Sequence, residues 1–133
     1  MLGSTSPFAM PIPAFLVEDS AVIRKNLIPT LAELAGVSVV AFAEGQADAL
    51  EWLRSHDGQW QLVIVDLFLK EGSGLGIIAE CKQKRPLAPV VVLTNYATAD
   101  MRRRCLELGA DAFFDKSSEL EEFFSYCEQH FVD

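Results

Sequence analysis

One stretch restricts the architecture more than any other. Leu62-Val63-Ile64-Val65 is four consecutive apolar residues, and it ends in the carboxylate of Asp66. A run this short and this rich in β-branched residues reads as a strand buried on both faces, the kind found in parallel sheets covered by helices. In open parallel sheets, ligands bind in the crevice beyond the carboxyl ends of the strands. Asp66 would stand at that edge. Taken alone it reads as a strand-end Asp that opens a turn, so the decision rests on what the other strand ends carry.

The rest of the chain repeats the same unit. Ala14-Phe15-Leu16-Val17 is a short apolar strand closed by Glu18-Asp19-Ser20, and Ser20 is placed to cap a helix running through Leu34. Pro29 removes a backbone donor inside that helix and predicts a kink, and Gly36 stops it. Val37 to Ala43 is a second strand, and Glu44 to His56 has helical spacing. After the strand ending at Asp66 comes a glycine-rich loop, Lys70 to Gly74, then a helix to Arg85. Val90-Val91-Val92-Leu93 is a fourth strand ending in Thr94, followed by a helix from Ala97 to Leu108. Ala112-Phe113-Phe114 is a fifth, followed by Asp115-Lys116. Ser118 with Glu121 has the spacing of a capping box for a last helix, whose apolar face carries Leu120, Phe123, Phe124 and Cys127. Strand and helix alternate through about five units, which is the α/β signature.

Composition narrows the function classes. The 133 residues suit one domain, and 50% hydrophobic residues suffice for a single core. A formal net charge of −8 argues against general nucleic-acid binding, which leaves a basic footprint. Cys81, Cys105 and Cys127 are odd in number and widely spaced, so they fit neither a disulfide framework nor a zinc site and read as small buried hydrophobes. There is no membrane-length apolar run and no signal-peptide pattern, which leads to the expectation of a soluble cytoplasmic protein with no membrane partner. Residues 1–12, with Gly3, Ser4, Ser6 and two prolines, read as a flexible leader, partly derived from cloning, and residues 13–133 as the domain. His56 and His130 read as surface residues, and Trp52 and Trp60 as packing a helix and a loop onto the sheet.

The chemistry lies in what the strand ends present together: Glu18 and Asp19, Asp66, Thr94 and Lys116. In a parallel sheet all five share one edge. Three carboxylates meeting there resist ionisation unless a cation sits among them. Oxygen ligands alone suit Mg2+, which takes one or two carboxylates and phosphate oxygens and keeps several waters. A lysine and a hydroxyl nearby would meet the remaining oxygens of a phosphoryl group. The set points to phosphoryl transfer onto a carboxylate nucleophile.

Five stretches, in order, carry a family resemblance: Phe15-Leu16-Val17-Glu18-Asp19-Ser20, Val63-Ile64-Val65-Asp66-Leu67, Gly72-Ser73-Gly74-Leu75, Pro89-Val90-Val91-Val92-Leu93-Thr94, and Leu108 through Lys116. From about Ala14 onward the chain resembles the receiver domain of two-component response regulators. The resemblance implies a flavodoxin-like (βα)5 sandwich with parallel strand order 2-1-3-4-5, an order the receiver fold is known for. It implies that Asp66 is the phosphoacceptor and that Glu18, Asp19, Asp66 and the backbone carbonyl of Phe68 hold Mg2+. Thr94 matches the switch hydroxyl, Lys116 the phosphate-pairing lysine and Phe113 the aromatic switch. It further implies a histidine kinase or phosphotransfer protein as partner, and a phosphoacceptor role rather than that of an enzyme. With no DNA-binding segment after the last helix, the sequence reads as a stand-alone receiver or one cut from a longer regulator.

The chain departs from the family's commonest pattern in places. Ser117 follows Lys116 where many receivers have proline after a cis peptide. A cis bond before a non-proline costs ~2.5–4 kcal/mol, which leaves two expectations: a trans bond with Lys116 reaching the site differently, or a strained cis bond. Asn95 stands where alanine or glycine is common. Phe68 and Tyr96, two residues beyond the acceptor and the switch hydroxyl, would flank the approach of a hydrolytic water. Arg102-Arg103-Arg104 on the fourth helix and Glu119, Glu121, Glu122 and Glu128 on the fifth are either solvated, paired within one molecule, or the basis of a homodimer through helix 4, strand 5 and helix 5. Other classes fit less well. An FMN binder of this fold would need a Ser/Thr/Gly-rich phosphate loop where Glu18-Asp19 stands. A P-loop sequence is absent. A haloacid-dehalogenase-type phosphatase would want an Asp where Phe68 stands. The remaining alternative is a receiver-like interaction or dimerisation module not regulated by phosphorylation.

Overall fold

The computed structural model describes residues 10–131 and the backbone alone for the last two of these. Most of the expected leader, and the side chain of His130, lie outside the described residues. Ten elements alternate: β1 (Ile12–Val17), α1 (Ala21–Ala35), β2 (Val37–Ala43), α2 (Gln46–Ser55), β3 (Leu62–Val65), α3 (Gly74–Lys84), β4 (Val90–Thr94), α4 (Ala99–Glu107), β5 (Ala112–Asp115) and α5 (Leu120–Phe131). The strands form one parallel sheet in the order β2-β1-β3-β4-β5. This is the (βα)5 arrangement expected. β1 begins at Ile12, so it takes the last residue assigned to the leader.

The period of two along each strand divides the core. Phe15, Val17, Val63, Val65, Val90 and Val92 face one side with Leu53, Ile77, Cys81 and Cys105 of α2, α3 and α4. Ala14, Leu16, Leu62, Ile64, Val91 and Leu93 face the other with Leu27, Leu31, Phe123 and Cys127 of α1 and α5. Burial on both faces explains why these strands carry continuous apolar runs. All three cysteines are free and buried. Burial pushes the Cys81 and Cys105 thiols up to about 11 and that of Cys127 up to about 12. They are packing groups rather than nucleophiles.

The local signals mostly hold. Ser20 Oγ accepts from the Ile23 N–H and Gly36 closes α1 in the left-handed region at φ 67°. The helix runs on through Pro29. α5 departs from expectation. It begins at Leu120, and the Phe123 N–H bonds to the Glu119 carbonyl at 2.9 Å, so the helix is entered from Glu119 rather than from Ser118. Asp115 draws in the serines instead: its Oδ1 accepts from the Ser117 N–H at 2.8 Å and hydroxyl at 2.6 Å, and Ser118 donates to it as well. A strand-end Asp competing for nearby donors overrides the capping-box spacing. His56, expected at the surface, is half-buried and stacks on Trp52 at 4.3 Å, which itself stacks on Phe15 at 4.2 Å. Among the described residues no helix is long and apolar enough to cross a membrane.

Candidate functional site

The carboxyl ends of β1, β3, β4 and β5 meet at one edge of the sheet. Because β1 pairs with β3 in register, Val17 opposite Val65, the next residues, Glu18 and Asp66, leave the sheet side by side. The Asp66 N–H still bonds to the Val17 carbonyl at 3.0 Å, which holds the turn against β1. Glu18, Asp19 and Asp66 offer carboxylate oxygens that all lie within 4.8 Å of one another. Glu18 and Asp66 are buried, at 2% and 7% exposure, and Asp19 is half-buried.

Lys116 arrives from the far side of the crevice. Its backbone N–H bonds to the Thr94 carbonyl at 2.9 Å. Its Nζ reaches Asp66 Oδ2 at 2.8 Å and Glu18 Oε1. No described peptide bond is cis, so the bond to Ser117 is trans and the lysine reaches both acids from that geometry. Burial works against the ammonium charge, but the Asp66 and Glu18 carboxylates outweigh it and hold the Lys116 pKa above the usual lysine value. Glu18 responds the other way: burial raises its pKa, and the shared lysine and the Ser20 N–H at 3.0 Å offset that only in part. One ammonium among three carboxylates leaves the crevice short of positive charge.

Thr94 is fully buried, and its Oγ1 accepts from the Tyr96 N–H at 3.2 Å. Phe113 lies inward on β5 at 4% exposure, with the Arg102 guanidinium 4.7 Å over its ring. Phe68 and Tyr96 do more than flank the crevice. Their rings touch each other, centroids 3.9 Å apart, while each side chain stays about half exposed. Phe68 also bridges to Ser73, which folds the β3–α3 loop back on itself. That fold needs Gly74: a Cβ there would lie 2.2 Å from the Asp66 carbonyl oxygen.

Two supporting residues escaped sequence reasoning. Arg24, one turn into α1, donates to the Glu18 carbonyl at 2.7 Å and pairs with Glu44 at 3.0 Å, so it fixes the backbone of the acid pair. Arg102 donates to the Phe113 carbonyl at 3.1 Å and to Glu119 at 3.3 Å. Nothing in their local spacing signals either contact, since both partners lie on other elements. The arginine run is therefore largely engaged within the molecule: Arg102 with Glu119, and Arg103 with Asp100 and Glu107.

Comparison with known proteins supplies the family. A family model described as the response regulator receiver domain matches residues 14–128. The chain belongs to the response regulator receiver domain family. It is 31% identical over 120 residues to the transcriptional regulatory protein PdtaR of Mycobacterium tuberculosis, over 90% of this chain and 57% of that protein. It thus spans little more than half of that relative's length. The manganese-bound form of response regulator Rcp1 shares 25% identity at a TM-score of 0.67, covering 90% of this chain and 91% of that one. A two-component response regulator of the LuxR family from Aurantimonas superposes with a TM-score of 0.80 at 23% identity, over 90% of this chain and 84% of the other, a likeness of fold. In this receiver domain an acid cluster, a hydroxyl and a lysine stand on neighbouring strand ends.

Proposed function

We propose that this receiver domain accepts a phosphoryl group on Asp66, with Mg2+ present, from a phosphohistidine of a histidine kinase or phosphotransfer protein in the cytoplasm. The observation that carries the reading is the Lys116 ammonium held between Asp66 and Glu18 with Asp19 beside them. An oxygen-only donor set that outnumbers its one cation suits a hard divalent ion. Glu18, Asp19, Asp66 and the Phe68 carbonyl would hold Mg2+. When bound, the ion would neutralise carboxylate and phosphoryl oxygens together.

The chain's own groups do the rest. A carboxylate oxygen of Asp66 attacks phosphorus. The new O–P bond forms as the P–N bond to the donor imidazole breaks, and its electron pair stays on that nitrogen. Lys116, already charged and in place, moves its donation from the carboxylates toward the added phosphoryl oxygens. Thr94 Oγ1 accepts from Tyr96 N–H, so its own proton can be donated to a phosphoryl oxygen. Loss of that arrangement around β4 and β5 shifts Phe113 and, through Arg102, the face of α4, β5 and α5 toward a partner-binding population. A homodimer through that face would have to compete with the internal pairing of Arg102 and Arg103.

The test is labelling by acetyl phosphate in Mg2+, read by intact-protein mass. The wild-type chain should take up one phosphoryl group and Asp66→Asn none. Undiminished labelling of Asp66→Asn would refute the assignment. A wild-type chain that takes no label would favour the phosphorylation-independent interaction module.

A further inference from the structure

The turn between β2 and α2, residues 44–46, carries none of the crevice residues, yet it is tied to both halves of the donor set that would hold Mg2+. Glu44 pairs with Arg24 at 3.0 Å, and Arg24 donates to the Glu18 carbonyl at 2.7 Å. Glu44 also faces Lys70 of the β3–α3 loop at 3.7 Å. The next residues join that loop directly. The Gln46 N–H bonds to the Glu71 carbonyl at 2.9 Å, and the Ala47 N–H to the Glu71 carboxylate at 3.0 Å. α2 starts after Gly45, which has no side chain to cap it, so Glu71 supplies the cap from another element.

That cap leaves the Gln46 side chain free for a different contact. Its Oε1 accepts from the Ser73 N–H at 2.8 Å. Ser73 is the bridge partner of Phe68. Gln46 thus holds the part of the loop against which the Phe68 backbone is set. Glycines on either side make room for it: a Cβ at Gly72 would lie 2.4 Å from Gln46 Cβ, and one at Gly76 would lie 2.2 Å from Gln46 Nε2. Two glycines of the run Gly72-Ser73-Gly74-Leu75-Gly76 therefore admit one glutamine from another element.

We propose that Gln46 is a positioning residue for the divalent ion. Through Ser73 it fixes where the Phe68 carbonyl stands relative to Asp66 and the Glu18–Asp19 pair. Its role rests on the reading that these groups hold Mg2+. Mg2+ demands near-octahedral geometry, whereas Ca2+ accepts irregular donor sets. A displaced carbonyl should therefore cost Mg2+ more than Ca2+. A general loosening of the fold, or a change in nearby charge, would act on both ions alike.

The test is titration of the whole chain with Mg2+ and, separately, with Ca2+, following the Asp19 and Leu67 amide signals in 15N–1H correlation spectra. Gln46→Met keeps the length of the side chain and removes the acceptor. It should weaken Mg2+ binding roughly tenfold, the loss usual when a partner behind a metal ligand is removed, and Ca2+ binding by a markedly smaller factor. Gln46→Glu keeps an acceptor for Ser73 and should restore the parent ratio of Mg2+ to Ca2+ affinity. Gly76→Ala leaves the glutamine in the chain and places a Cβ where its amide lies. It should give the same Mg2+-selective loss, and it decides the matter if Gln46→Met does not fold. Equal loss of both ions, or an unchanged Mg2+ affinity in the folded variants, overturns the proposal and leaves the Mg2+ reading standing. A parent chain with no saturable Mg2+ shift overturns that reading, and the role of Gln46 with it.

Discussion

At its carboxyl end β3 delivers Asp66 into a crevice with more acceptors than donors: three carboxylates face one lysine. At its amino end the same strand follows Trp60, beside a cavity between the ends of α2 and α3, and there the Trp60 Nε1–H and Arg85 Nη1 are buried without acceptors. The strand between them is fully buried and carries no polar side chain. Each end is unsatisfied by the chain's own groups, and in opposite senses: the first has surplus acceptors, the second two donors without acceptors. Their construction differs too. The acid end is assembled from strand termini, which the sheet register aligns. The other end is assembled from two helix C-termini and a loop, which nothing in the register fixes.

If the two ends are independent, a change at one should leave the other's readout alone. The largest effect is expected at the amino end. Trp60→Ala removes a buried indole and should cost about 3–5 kcal/mol in chemical denaturation, while Asp66 still takes label under native conditions. Lost labelling in chains shown to be folded would break the comparison. The next effect belongs to the carboxyl end. If Asp66 is the acceptor, the touching rings of Phe68 and Tyr96 would flank the approach of a hydrolytic water, and a misplaced water slows hydrolysis. Phe68→Asn with Tyr96→Glu should speed first-order loss of the phosphoryl group in Mg2+ roughly tenfold to a hundredfold. A decay no faster than that of the parent would show that these rings do not set the lifetime.

The smallest effect sharpens the account of the acid crevice. Burial raises the Glu18 pKa, so the folded chain binds that proton more tightly than the unfolded chain. The stability linked to it is fully present below the ordinary glutamate value and is lost as pH rises through the raised folded value. Ionising Glu18 is thus a cost to the metal-free fold. Glu18→Gln should raise Tm in chelator at pH 7, with the gain shrinking toward pH 4. A gain that is flat with pH would assign the effect to packing rather than to charge. Lys116 does not confuse the window, because its raised pKa keeps it charged throughout.

Much of this was legible in the chain. Four apolar runs, each closed by a polar residue, are a direct record of a doubly covered parallel sheet, and Glu18, Asp66, Thr94 and Lys116 could be placed on one edge from the strands being parallel. The five-stretch resemblance then supplied the order itself. What stayed hidden is what depends on distances between elements. Asp115 captures the serines that spacing assigned to a helix cap. Arg102 finds Glu119 across a turn, so a run that read as a candidate dimer surface is largely an internal tie. The Phe68–Tyr96 contact joins two loops, and both residues were singled out without their contact being foreseeable. The cavity at Trp60 left no pattern, since its lining comes from helix ends and a loop with no shared period.

The lysine that bridges the crevice is 98 residues from Glu18 and 50 from Asp66 along the chain. Contacts that distant form late, because loop closure must precede them. β1 and β3 carry the buried acids at their ends, and the ammonium that meets them lies just past the end of β5. Without β5 beside β4, only like charges would meet at that edge. The crevice is therefore the last part of the sheet to become comfortable, and a chain interrupted before Lys116 would present an unfinished acid pair rather than a weakened receiver. The last strand of the sheet and the one ammonium of the crevice are supplied by the same stretch of chain.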